Sequence, residues 1–266
     1  MENQTSINHQ TPPFGKQMLA DAVCRQLLFS TPMVNATFAG IKEMTRRTKG
    51  LEEINVNPDD WQFEWADFAL KYPFRFTQKS SVNKKSLANR SFYQAEAKCP
   101  YGKIGDILWV RETTCYVMLD HAHDLLEGAK DNNQVVYKAS VHPDWMEYAK
   151  EKYGYKWKPS IFMEKSACRL SLEIKNVRVE RLQDITNEDC VKEGITPLAM
   201  SATQVSEQGK LFLDHSKPKQ FFNDGLPPFW SFNSLWCSIN GNDSWELNPW
   251  VWVISFKVVE CPYGFR

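Results

Sequence analysis

The clearest periodicity in the chain is the two-residue alternation of residues 168–182, CRLSLEIKNVRVERL. Leu170, Leu172 and Ile174 share one face. The pattern breaks at Lys175-Asn176 and resumes at Val177 and Val179, which predicts a long bent strand or a hairpin. Residues 249–260, PWVWVISFKVVE, alternate at first and then turn continuously apolar, predicting a closing strand. Ile107–Arg111 reads as a strand entered from a Gly105-Asp106 turn, and residues 134–138 as a shorter one. Residues 26–31 are a short apolar run ending in a cap: Thr31 is an N-cap followed by Pro32 in the first helical turn. Gly40 supplies the left-handed stop. Residues 184–195 predict a helix with acidic residues in its first turn, closed by Gly194. Residues 228–239 predict an apolar helix. Trp61, Trp65 and Phe68, spaced by four and three, predict a short amphipathic helix.

Short strands enclosing a few short helices imply an α+β fold, and sequence-distant strands as neighbours imply a small closed or half-closed β-barrel. Residues 1–24 are polar and read as a disordered tail ahead of one domain at 25–266. Within that domain about 48–98, 114–165 and 196–228 read as irregular insertions. The length of 266 residues fits one large domain or two small ones.

The chemistry concentrates in residues 38–50, FAGIKEMTRRTKG. Lys42, Thr45, Arg46, Arg47 and Lys49 lie there against one acidic residue, Glu43. The stretch follows a helix end, so it reads as a turn. It fits a solvated basic loop, a phosphate grip or a reactive Lys–Thr pair. The formal net charge of zero argues against a protein that coats duplex nucleic acid, and leaves room for a small basic pocket. Seven cysteines without a Cys-x-x-Cys spacing argue against a zinc site or a disulfide framework and set a reducing cytoplasm as the default. His121 and His123, flanked by Asp120 and Asp124, read better as a solvated acidic loop than as metal ligands. No apolar run is long enough for a membrane helix and no signal core is present, so no membrane partner is expected. No Walker loop, GxGxxG or internal repeat occurs, and no cofactor is implied.

Gly40-x-Lys42-x-x-Thr45-x-Arg47 resembles the signature of ASCH domains, in the PUA-like barrel superfamily. A short helix precedes the motif at TPMVNATFAG, a Gly-Asp turn enters a strand at IGDILWV, and VRVERLQDITNEDCVKEGI resembles the family's strand-then-helix segment. These pieces cover a little over a third of the chain. With CPYGKIGD and NPWVWVISF, the layout is similar to the larger ASCH proteins of phages and prophages. The resemblance implies a PUA-like β-barrel with short helices and long loop insertions, in the cytoplasm of a bacterial host.

Some small ASCH proteins are amidohydrolases acting on N4-acetylcytidine through a lysine, a threonine three residues later and a glutamate from a later helix. Carried over, these are Lys42, Thr45 and Glu193. Threonine is a weak nucleophile until a neighbour takes its proton, and lysine can do so only when neutral. Glu193 is then placed to protonate a leaving amine or to orient Thr45 or water. Gly40, Arg46, Arg47, Lys49, Trp109 and Arg111 are the expected substrate contacts. Trp61, Trp65 and Trp109 are the candidate stacking platforms, set against a reading of the tryptophans as core or loop anchors. Two alternatives to a nucleoside amidohydrolase stay open. One is a binding module for RNA, single-stranded nucleic acid or a modified base, with no chemistry. The other is a ribonuclease, as in other ASCH proteins.

Overall fold

A computed structural model describes residues 23–67, 71, 73–79, 94–118, 121, 135–201, 204–206, 209–217 and 225–261. The tail before Val23, Phe68, His123, Asp120 and Asp124 lie outside the described residues. Cys24, counted with the tail in the sequence reading, belongs to the first strand.

The centre is a five-stranded sheet built from β1 (Cys24–Leu28), β2 (Met44–Arg47), β6 (Ile107–Arg111), β9 (Ser171–Arg181) and β10 (Trp250–Val259), in the order β1-β6-β9-β10-β2. β1 runs parallel to β6 and the other pairs are antiparallel. The alternation of residues 168–182 is one strand with a bulge: Ser255 faces Asn176, Phe256 faces Ile174, and Lys175 is the extra residue. The polar break in the pattern therefore marks the place where the strand bends. Both sheet edges, β1 and β2, have a single partner, and among the described residues no ladder joins them into a barrel. The α+β class is as the pattern predicts.

β10 is buried on both faces, which explains its shift from alternating to continuous apolar sequence. Trp250, Trp252, Ile254 and Phe256 face one core, and Val251 and Val253 the other. The first core is closed by a second sheet, β3 (Trp61–Ala66), β4 (Phe74–Gln78) and β5 (Gln94–Ala97). Phe74 meets Trp252 edge-on at 4.7 Å and Phe76 meets Trp250 at 5.4 Å. The helix expected at Trp61 is thus a strand. Trp61 and Phe63 also satisfy a period of two, and pairing with β4 decides between the readings. Within the stretch 48–98, Trp61, Phe74, Phe76 and Ala97 of these strands are thus core residues.

The second core lies under helices. α1 (Thr31–Phe38) instead buries Val34 in the first core, and Ser30 holds its N-cap position without a side-chain bond, one residue before the expected Thr31. α2 (Trp145–Tyr153) packs on its own small cluster beside β7 (Thr114–Tyr116) and β8 (Val135–Tyr137). α3 (Asn187–Lys192) begins later than its pattern suggests, because residues 182–184 form a separate single turn. The Thr186 hydroxyl caps α3 by accepting from the Asp189 N–H at 3.1 Å. α4 (Pro228–Asn240) and α5 (Asp243–Glu246) complete the layer. Phe232 and Trp236, one turn apart on α4, bury against Val251, Val253 and Met44.

Candidate functional site

The basic motif is not a turn throughout. Gly40 (φ +69°) ends the turn after α1, Lys42 follows in irregular chain, and Thr45, Arg46 and Arg47 belong to strand β2. β2 needs β10 as its partner to form, so a local reading placed the motif beside a helix end and missed the strand. As an edge strand β2 faces a cavity of about 180 Å³, to which Thr45–Lys49 contribute five consecutive residues. Glu193 and Tyr101 complete its polar wall, and Met33 of α1 with Phe232, Leu235 and Trp236 of α4 give an apolar one.

Beneath the cavity Lys42 is almost fully buried. Its Nζ donates to the carbonyls of Met44 (2.8 Å) and Glu193 (2.6 Å) and to Glu193 Oε2 (3.0 Å). Three acceptors match the three N–H bonds of an ammonium. Burial pulls the Lys42 pKa below the ordinary lysine value, Arg47 and Arg46 add to that, and Glu193 opposes it. Burial prevails, so the site favours proton release more than a surface lysine does.

Arg46 is buried as well, and it is committed to the protein. Nη1 reaches Glu193 Oε1 at 3.1 Å, and Nη2 pairs with Asp189 Oδ2 at 3.0 Å and with Glu180. Arg178 bridges Glu180 and Asp189 from the other side. Lys42, Arg46 and Arg178 thus balance Glu180, Asp189 and Glu193 in one cluster. Burial alone would lower the Arg46 pKa, but Glu193 and Glu180 outweigh it and the net shift is upward. Arg46 was expected to hold substrate charge; in the structure its guanidinium is taken up by these carboxylates. The Asp189 carboxylate, read from sequence as a helix-dipole residue, is one of those partners.

Arg47 differs. It is half-buried and pairs with no carboxylate among the described residues. Its Nη2 donates to the Leu28 carbonyl at 3.0 Å, it lies 6.0 Å from the Phe29 ring centroid, and its Nε has no partner. Lys49 is exposed on the rim, while its carbonyl accepts from Trp252 Nε1 at 3.0 Å. The cavity therefore carries two cations that the cluster beneath does not neutralise.

The structure brings Thr45, Glu193, Arg46, Arg47 and Lys49 to one cavity, with Lys42 directly below. No hydrogen bond joins Lys42 to Thr45. Gly40, Trp109 and Arg111 do not line the cavity. Trp109 lines a neighbouring hollow that shares Lys49 and Tyr101 with it. Arg111 stacks over Trp109 and donates to Gln26 and to the Ile161 carbonyl. Trp61 is buried in the first core. Of the acidic stretch 120–124, only His121 is described, and it stacks on Tyr153 and bonds the Tyr155 hydroxyl. Sequence reasoning passed over Tyr101, which sits in a turn tetrapeptide and carries no signal of its own. It also passed over Glu180, whose signal was an acidic residue alternating with Arg178 on a half-buried strand. Comparison with known protein families, with curated proteins and with solved structures finds no match to this chain. No described helix is long and apolar enough to cross a membrane.

Proposed function

We propose that the cavity is the nucleobase pocket of an ASCH-type, PUA-like protein, and that it deacylates N4-acetylcytidine or a related cytosine carrying an acylated exocyclic amine. One observation carries this reading: Thr45 and Glu193 share a small half-apolar cavity above a buried Lys42–Glu193 ion pair. Proton transfer from Lys42 Nζ to Glu193 Oε2 turns that pair into a base and an acid, and burial favours the neutral form of Lys42. Neutral Lys42 then takes the Thr45 hydroxyl proton while Oγ1 attacks the amide carbon. The C–N bond breaks, and the leaving amine takes the proton held by Glu193. Water hydrolyses the threonine ester and releases the carboxylate.

Release of cytidine from its N4-acetyl form tests the reading. Thr45→Val keeps the volume and removes the hydroxyl, so turnover is expected to drop on the order of 10³-fold or more with the fold intact. Absence of turnover by folded wild type sinks the amidohydrolase.

A second reading, binding without chemistry, is favoured by Lys42 having all three N–H bonds engaged and none directed to Thr45. Here Arg47 and Lys49 hold phosphate while the α4 wall receives the base. Two phosphate contacts predict that affinity for single-stranded RNA falls roughly sevenfold between about 50 and 200 mM salt. A salt-independent affinity, or no binding, counts against it.

A further inference from the structure

A second cavity, of about 320 Å³, opens between the start of β1, the loop before β4 and the turn into β6, and it shares no lining residue with the first. Arg25, Lys71, Lys98 and Lys103 line it, and Asp106 is the one acidic residue among the lining groups. Asp106 is already satisfied. Its Oδ2 accepts from Arg25 Nη1 at 2.7 Å and from the Lys103 N–H at 3.1 Å, and its Oδ1 accepts from the Val23 N–H at 3.2 Å. The pair forms a fixed floor. A side chain at Gly102 would put its Cβ 2.6 Å from Asp106 Oδ2 and 2.8 Å from Arg25 Nη1, so glycine keeps that floor open. Lys98 and Lys103 are exposed above it and pair with no carboxylate among the described residues. Like charges gathered around a concavity repel one another unless an anion sits between them. Pro73 and Phe74 add an apolar side wall.

We infer that this cavity binds a phosphate-bearing ligand, held by Lys98 and Lys103 against the Arg25–Asp106 floor. Lysines that converge as point charges, with no planar bidentate fork to match, suit phosphate oxygens. The volume lies near the lower end for ligand pockets and fits one small anionic group with an attached body, not the flank of a duplex. Two sources supply that chemistry. One is a free nucleotide. The other is the terminal phosphate of a strand that also reaches the first cavity, because the hollow lined by Trp109 shares Arg25 with this cavity and Lys49 and Tyr101 with the first. The inference is independent of the chemistry proposed for Thr45.

Calorimetric titration of the full chain with inorganic pyrophosphate tests it. Saturable binding is expected, weakened at least about tenfold by the double substitution Lys98→Ala, Lys103→Ala. Both side chains are exposed, so thermal stability serves as the folding control, and Lys150→Ala, an exposed lysine of α2 that lines neither cavity, should leave pyrophosphate binding unchanged. Cytidine monophosphate is then compared with cytidine, and a 5′-phosphorylated oligonucleotide with its 5′-hydroxyl form. A phosphate-dependent gain in either pair supports the site, and the pair that shows it assigns the source. No saturable pyrophosphate binding, binding that the double variant retains, or equal binding within both pairs overturns it.

Discussion

Glu193→Ala is expected to destabilise the protein by about 3–5 kcal/mol, the cost of leaving buried charges without their partner. Glu193 is 5 % exposed and its two carboxylate oxygens serve Lys42 and Arg46 separately. Arg46 keeps Glu180 and Asp189, but Lys42 keeps only carbonyl acceptors. The loss therefore falls mainly on Lys42 and has a pH signature. Burial already lowers the folded-state pKa of Lys42, and Glu193 is the largest influence raising it. Without Glu193 the folded pKa drops further below that of the unfolded chain. Between the two values the unfolded state binds more protons, so stability rises with pH and the rise ends near the ordinary lysine value of 10.5. Urea denaturation at about pH 7 and pH 9.5 should show the variant recovering stability at the higher pH by more than wild type does. An equal change in both proteins would mean that Lys42 is not the charge left exposed. Glu193→Gln, which keeps the shape and one acceptor oxygen, should fall between the two.

Trp252→Ala is the second large effect, also about 3–5 kcal/mol. The indole is fully buried at the centre of β10, meets Phe74 of the second sheet edge-on, and donates to the Lys49 carbonyl. The substitution opens a cavity between the sheets and orphans that carbonyl. The two losses separate by replacement. Trp252→Phe restores much of the volume and none of the hydrogen bond, so it should recover most of the stability. If the indole N–H also fixes the Lys49 turn, the phenylalanine variant will still bind ligand in the first cavity more weakly. A denaturation midpoint and a binding titration on the same two proteins check both statements.

The strands that form the sheet's centre were legible because their burial is written in their own periodicity. Even the bulge at Lys175 is visible as a break in alternation. The strands at the margins were not. Met44–Arg47 contains no alternation that a short basic turn lacks, and Trp61 to Phe68 satisfies helix and strand periods alike. In both, the deciding contact is with a partner strand. The site divides in the same way. Lys42 and Glu193 are 151 residues apart, and only a family resemblance put them together. That resemblance carries Arg47 in its signature and not Arg46, yet both arginines were expected as substrate contacts. Successive residues of a strand alternate in direction, and the structure commits Arg46 to three carboxylates while Arg47, lining the same cavity, pairs with none among the described residues. The charge left for a ligand is therefore decided by strand parity, which emerges only once β2 is recognised as a strand.

The closeness of α3's end to the start of the motif sets one more constraint. Gly194, at φ +86°, sits so that a Cβ there would come 2.8 Å from that of Lys42 and 3.1 Å from that of Ala36. A saturation library at this position should therefore return glycine almost alone. Positions 36, 42 and 194 would behave as one locus under selection, with a bulkier residue at 36 or 194 pushing the lysine off its carboxylate before it reached any ligand.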